Sequence, residues 1–173
     1  MVVSHFLKWI HTAKVNERAA AAAALARAYV HHDLPFEDRC AAEAALTLLL
    51  DDPSAKVRKA MAEALALSRH APLQIVSALA SDQPEVASVV LARSPLLTDA
   101  DLVERVASGS KAIQMLIADR PSVSMELSAA IAEIGEAEAC RALVANEGAE
   151  IAPLSFRRMA ERHGHVARRC ARR

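Results

Sequence analysis

The chain has 173 residues with 21 basic and 21 acidic side chains, so it is neutral overall and falls in the range of one domain, roughly 100–200 residues. Hydrophobic residues make up 53%, but 39 of them are alanine, aromatics are only 3%, and there are four glycines. That balance argues against a sheet of β-branched and aromatic residues and for close-packed helices with a thin core, because alanine favours helix and carries little apolar area.

Charge is unevenly placed. Residues 1–152 carry 14 basic and 20 acidic side chains, net −6, whereas from Pro153 onward seven arginines face Glu161 alone, net +6. The basic end is read either as a tail that meets an acidic partner, as a solvated helix end, or as a segment drawn to the acidic body. Cys40, Cys140 and Cys170 lie far apart without a CxxC pair, which favours reduced thiols over a disulfide framework or zinc site. No apolar run approaches the ~18 residues of a membrane span, so no membrane role is expected and the cytoplasm is the expected compartment.

In chain order, the start MVVSHFLKWIHTAK lacks the apolar core of a secretory signal. Its Val3, Phe6, Leu7 and Ile10 fit one face of a short helix with Trp9 nearby, packed on the first repeat or forming a homodimer contact. Two longer helices are predicted from Lys14 to about Val30 and from Pro35 to Leu50, and residues 1–50 are read as a cap. Asp52 and Pro53 read as an N-cap and first-turn pair. The helix after them places Val57, Ala60, Met61, Ala64 and Leu65 on one face. Asp82 and Pro84 open the next, followed by Val86, Val89 and Val90. Thr98 with Asp101 resembles a capping box. Ser110 precedes Ile113, Leu116 and Ile117; Pro72, Pro95 and Pro121 separate paired helices; and Gly109, Gly135 and Gly148 fall where helices should stop.

A large apolar residue followed by alanine recurs at Leu65-Ala66, Leu91-Ala92, Ile117-Ala118 and Val144-Ala145, with steps of 26, 26 and 27 residues. A second series, Leu79-Ala80, Val106-Ala107, Ile131-Ala132 and Met159-Ala160, interleaves with steps of 27, 25 and 28. Two series with one period mean two helices per unit. Helices this short are marginal in isolation and need neighbours. The expected architecture is an all-α, α-α superhelix, a solenoid of short helix pairs with a period near 26 residues, the repeats filling 51–164 and a basic tail 165–173 within one structural domain.

The stretch DDPSAKVRKAMAEALA, Asp51 to Ala66, resembles the first helix of a HEAT repeat, with Val57-Arg58 in place; the later units are shorter and have Ala87-Ser88 after Val86. VLARSPLLTDADLVERVASG, Val90 to Gly109, followed by IADRPSVS and ALVANEGAEIAPLSFRRMAER, resembles the bacterial domain-of-unknown-function family numbered 2336, over roughly residues 20–163. The resemblance implies membership of the HEAT/armadillo-like superfamily and carries no activity or site residues.

Chemistry finds little support. His31-His32-Asp33 and the His163, His165, Cys170 group are the candidate metal ligands; nothing nearby completes a set for the first, and the second reads as a solvated arginine-histidine tail, so no metal or cofactor is expected. Cys40 and Cys140 read as small buried hydrophobes on helices. Neither a G-x-S-x-G turn nor a phosphate-cradling glycine loop is present. Asp99 with Asp101, and Glu136 with Glu138, read as helix-start carboxylates. No catalytic residue is assigned and an enzyme is not expected. Arg69, Arg93 and Arg120 recur at the first corner of successive units and are read either as a basic column for carboxylates or phosphates, or as surface ion pairs with Asp119, Asp99 or neighbours.

The expected function is a scaffold for an unidentified protein or peptide, with Glu104, Arg105, Glu126, Arg157 and Arg158 as exposed candidates on the second helices. The alternative is binding of nucleic acid or another polyanion through the C-terminal arginines. Against it, four of the five aromatics lie before residue 37, away from those arginines.

Overall fold

The computed structural model describes residues 9, 10, 12–31 and 33–170, with side chains through Gly164. The expected N-terminal apolar face on Val3, Phe6 and Leu7 lies outside these residues. The described residues form ten named helices: α1 Val15–His31, α2 Phe36–Leu49, α3 Ala55–Leu65, α4 Leu73–Ala80, α5 Pro84–Arg93, α6 Asp99–Ser108, α7 Lys111–Ala118, α8 Met125–Ile134, α9 Ala137–Ala145 and α10 Pro153–Cys170. An isolated parallel bridge, Val123 with Ala149, is the one β-type pairing among them. None of these helices is long and apolar enough to cross a membrane.

The chain divides into two compact units, Met1–Leu96 and Leu97–Arg173. In the first, α1 packs on α2 and α3, while α3 packs on α4 and α5. Ala22 and Ala26 of α1 are fully buried, as are Met61, Ala62 and Leu65 of α3. Alanine at a contact lets two helix backbones approach closely; burial of each large side chain such as Leu65 or Met61 adds about 1.5–3 kcal/mol. In the second unit α6 packs on α7 and α8, α7 on α9, and α8 on α10. Its core is built on Leu102, Val106, Ile117, Leu127, Ile131 and Leu143.

Boundaries follow the expected chemistry in several places. Thr98 Oγ1 accepts from the Asp101 amide while the Asp101 carboxylate accepts from the Thr98 amide, a complete capping box. Pro84 occupies the first turn of α5, and Ser124, not singled out from the sequence, caps α8 by accepting from the Leu127 amide at 3.1 Å.

Other details differ. Asp52 is not the N-cap of α3, which starts two residues later after Ser54. Its buried carboxylate accepts from Arg18 Nε at 2.8 Å, from Arg18 Nη2 at 3.0 Å and from the Ser54 amide at 2.9 Å. Asp82 likewise receives Arg58, at 2.5 and 2.9 Å, and Gln83 takes the N-cap position of α5. On α3, Ala60 and Ala64 are only half-buried, and Ala62 packs inside instead. Gly109 and Gly135 do end α6 and α8, but with extended backbone, φ −82 and −68, not a left-handed cap. Glycine is required at 109 by crowding, since a Cβ would sit 2.4 Å from the Arg105 carbonyl oxygen. Gly148 lies two residues beyond the C-cap Asn146, in a turn.

Val144, the expected core member of its pair, is 53% exposed, and Leu143 beside it is fully buried. A helix end turns about 100° per residue, so a dipeptide landmark read from sequence can choose the wrong neighbour. Cys40 is exposed, against expectation, while Cys140 is buried as expected.

One position recurs with a shared task. Arg18, Arg58 and Gln114 are each the fourth residue of their helices, α1, α3 and α7. Arg18 and Arg58 reach the aspartates ahead of α3 and α5. Gln114 accepts from the Glu136 amide ahead of α9 at 2.8 Å and donates to the Val106 carbonyl at 2.8 Å. Arg58 also donates to the Asp52 carbonyl oxygen. Within each unit a polar side chain thus ties a helix to the start of its next-but-one neighbour.

Candidate interaction site

The first unit has a groove of about 700 Å³ between α1 and α3. One wall is α1, with Ala23, Arg27, Val30 and His31 at spacings of four, three and one residues, which puts them on one helix face. The other is α3 and its exit, with Ala60, Glu63, Ala64 and Leu67 on one face, closed at the end by Ser68, Arg69 and His70. The floor is apolar because the paired helices meet through small residues. The rim is polar because Arg27, His31, Glu63, Arg69 and His70 are all exposed. Leu67, 70% exposed, stands at the mouth.

The arginines of this unit fall into two sets. Arg18 and Arg58 fork onto carboxylates, and Arg39 lies over the Tyr29 ring at 4.5 Å from its centroid. Arg27, Arg69 and Arg93 make no ion pair among the described residues, and of these Arg27 and Arg69 line the groove. The carboxylates already in use are tuned accordingly. Burial alone would raise the Asp52 carboxyl, but Arg18 and the Ser54 amide outweigh it and hold it below the usual range. The Arg58 hydrogen bonds hold Asp82 low in the same way.

The second unit has a smaller groove of about 340 Å³ between α8 and α10, lined by Ala129, Ala132 and Leu154 among others. Arg157 and Arg158 are exposed here as expected, but their charge is engaged. Arg158 donates to both oxygens of Glu133 at 2.7 Å, Glu161 lies 3.8 Å from Arg158, and Arg157 lies 3.9 Å from Glu161. Arg162 donates to the Ala132 carbonyl at 2.7 Å.

Of the other expected residues, Glu104 and Glu126 are exposed and Arg105 is half-buried. Arg69 and Arg93 are exposed in the first unit, but Arg120, in the second, is 9% exposed and does not stand as a surface member of a column. It follows the C-terminus of α7, where Asn146 donates from its side-chain amide to both the Ala118 and Arg120 carbonyls, at 2.7 and 2.8 Å, and draws that corner inward. Burial lowers the Arg120 pKa, with the charge of Asp99 opposing. Glu138, expected as a helix-start carboxylate, also pairs with Lys111 at 2.7 Å and Arg141 at 3.3 Å. Among the described residues no three His, Cys, Asp or Glu side chains are placed to hold a metal. His163 faces the Gly135 carbonyl at 3.2 Å, while His32 and the side chains of His165 and Cys170 lie outside the described residues.

Arg27, His31, Glu63 and His70 carry no motif that marks them as one group in the sequence. Their only signal is the helical spacing of Arg27 to His31 and the placement of Arg69-His70 just past a helix end. Comparison with known proteins bears on the other half of the chain. Residues 86–171 match the family described as "Uncharacterised protein conserved in bacteria (DUF2336)". The DUF2336 match contains the Val90–Gly109 stretch that carries the resemblance, but begins later than residue 20 and runs past 163. The α1–α3 groove therefore lies outside the part similar to DUF2336. No curated protein and no solved structure matches the chain.

Proposed function

We propose that the chain is a HEAT-like helical-repeat scaffold that binds a protein partner and performs no catalysis, working in the cytoplasm. The observation that carries this reading is the packing of helices on their next-but-one neighbours inside each unit, α1–α3–α5 in the first and α6–α8–α10 with α7–α9 in the second. Such packing is how short helices share cores in a solenoid. Burial supports the period: Leu65, Leu91, Ile117 and Leu143 are each at most 1% exposed, and 65, 91, 117 and 143 differ by 26. Open helix faces and the segments beside them carry exposed apolar residues, including Leu67, Met125, Leu154 and Phe156, as surfaces for association. A polyanion reading through Arg157 and Arg158 has to contend with Glu133 and Glu161, which already occupy those side chains.

Affinity capture from a bacterial lysate, with and without nuclease, tests this reading with the full chain and the Arg157→Glu/Arg158→Glu variant. One protein enriched by both, whatever the nuclease, is the expected result. Capture abolished by nuclease and by the charge reversal would replace the scaffold reading with polyanion binding.

A further inference from the structure

We propose that the α1–α3 groove binds an acidic segment of a partner protein, with Arg27 and Arg69 receiving its carboxylates and the alanine floor with Leu67 holding an aliphatic side chain between them. This rests on the scaffold reading and names the site and chemistry of the partner.

Three observations point to that occupant. The rim carries two arginines against one carboxylate, Glu63, with His31 and His70 adding donors. Arg27 and Arg69 have no ion pair among the described residues, whereas Arg18 and Arg58 of the same unit are forked onto aspartates. Arginine presents a planar fork that suits a carboxylate bidentately, and an exposed guanidinium outside any ion pair can take one from a partner. His31 in the last turn of α1 also favours its own helix terminus, but Arg27 lies before that turn, and Arg69 lies beyond the end of α3.

The groove favours peptide over nucleic acid. No Phe, Tyr or Trp lines it for base stacking. Alanine and leucine surfaces between charged rims match an amphipathic segment with carboxylates flanking an aliphatic residue. A volume of about 700 Å³ accommodates several side chains of such a segment.

The test is fluorescence anisotropy on the full chain with three labelled probes: a peptide of Glu-Leu-Ala-Glu repeats, its Lys-Leu-Ala-Lys counterpart, and oligo-dT. The variants are Arg27→Glu/Arg69→Glu, the milder Arg27→Gln/Arg69→Gln, and Arg93→Glu as an exposed arginine outside the groove. Expected is binding of the acidic peptide alone, weakened at least about tenfold by either double variant, unchanged by Arg93→Glu, and weakened by added salt. Circular dichroism checks that the double variants keep their helix; if the glutamate pair loses it, the glutamine pair decides. No binding of the acidic peptide, or equal binding by wild type and double variants, overturns the proposal. Oligo-dT binding lost through the same two arginines overturns the peptide assignment. Lysate capture that survives Arg27→Glu/Arg69→Glu while the acidic peptide fails to bind removes this inference and leaves the scaffold reading. Absent capture with intact peptide binding does the reverse.

Discussion

Replacing Asp52 with alanine should destabilise the first unit severely, although the residue sits in a connecting segment. Its side chain is 4% exposed and that of Arg18 is 14% exposed, so both charges are largely withdrawn from water. Asp52 accepts three hydrogen bonds, at 2.8 and 3.0 Å from Arg18 and 2.9 Å from the Ser54 amide. Removing one partner of a fully buried pair costs about 3–5 kcal/mol. Arg18 keeps some water contact and its bond to the Ala13 carbonyl, which brings the expected loss to about 2–4 kcal/mol. Against a typical ~5–15 kcal/mol of folding stability, and at a mid-range urea slope of about 2 kcal/mol per molar, the midpoint should fall by about 1–2 M.

Trp9, the sole tryptophan, lies in the first unit and reports on that unit by fluorescence. The pH dependence supplies an independent check. The folded Asp52 pKa is depressed, so its stabilisation is fully present above the unfolded value of about 3.9 and is lost as pH falls through the folded value. The gap between wild type and Asp52→Asn should therefore be widest near neutrality and shrink below about pH 4. A loss under about 1 kcal/mol for Asp52→Ala would mean that the pair behaves as an exposed surface pair and would refute the argument. A gap that does not change with pH would refute the electrostatic part alone.

Leu143→Ala should cost about 2–5 kcal/mol by calorimetry or urea titration, and Val144→Ala within about 0.5 kcal/mol, because only the first is buried; equal costs would contradict the assignment of Leu143 to the core. Gln114→Ala should cost about 2–4 kcal/mol by leaving the Glu136 amide and Val106 carbonyl without their side-chain partner. Gln114→Leu should not recover that loss, since shape alone does not restore the bonds. In a Cys170→Ser background, a thiol reagent should label Cys40 in the folded chain and reach Cys140 only with denaturant, because Cys40 is exposed while burial both covers the Cys140 thiol and raises its pKa; early double labelling would contradict this.

Local chemistry is legible in the amino-acid sequence alone. Helix propensity, proline placement and the Thr98–Asp101 box act over three or four residues, and α1, α2 and α6 begin and end within about two residues of where those signals place them. The exposed Glu104 and Glu126 are likewise legible from helical spacing, since a charged side chain on the face opposite the apolar stripe has nowhere else to go.

Choices between neighbours and between partners were made by packing. Asp52 carries the chemistry of a cap, but an arginine 34 residues earlier claims it, and no local pattern contains that distance. Val144 and Leu143 are equally apolar in sequence, and the rotation of α9 against α7 selects the second. Arg120 reads like Arg69 and Arg93, yet the Asn146 amide folds its corner inward and takes it from the surface. The α1–α3 groove belongs to the same category. Its rim residues are drawn from helix faces more than thirty residues apart, and only the packing of one alanine-rich helix on another makes them a site. Sequence settled which segments are helical because that preference is local; packing settled what each side chain meets because that is a property of pairs brought together only by folding.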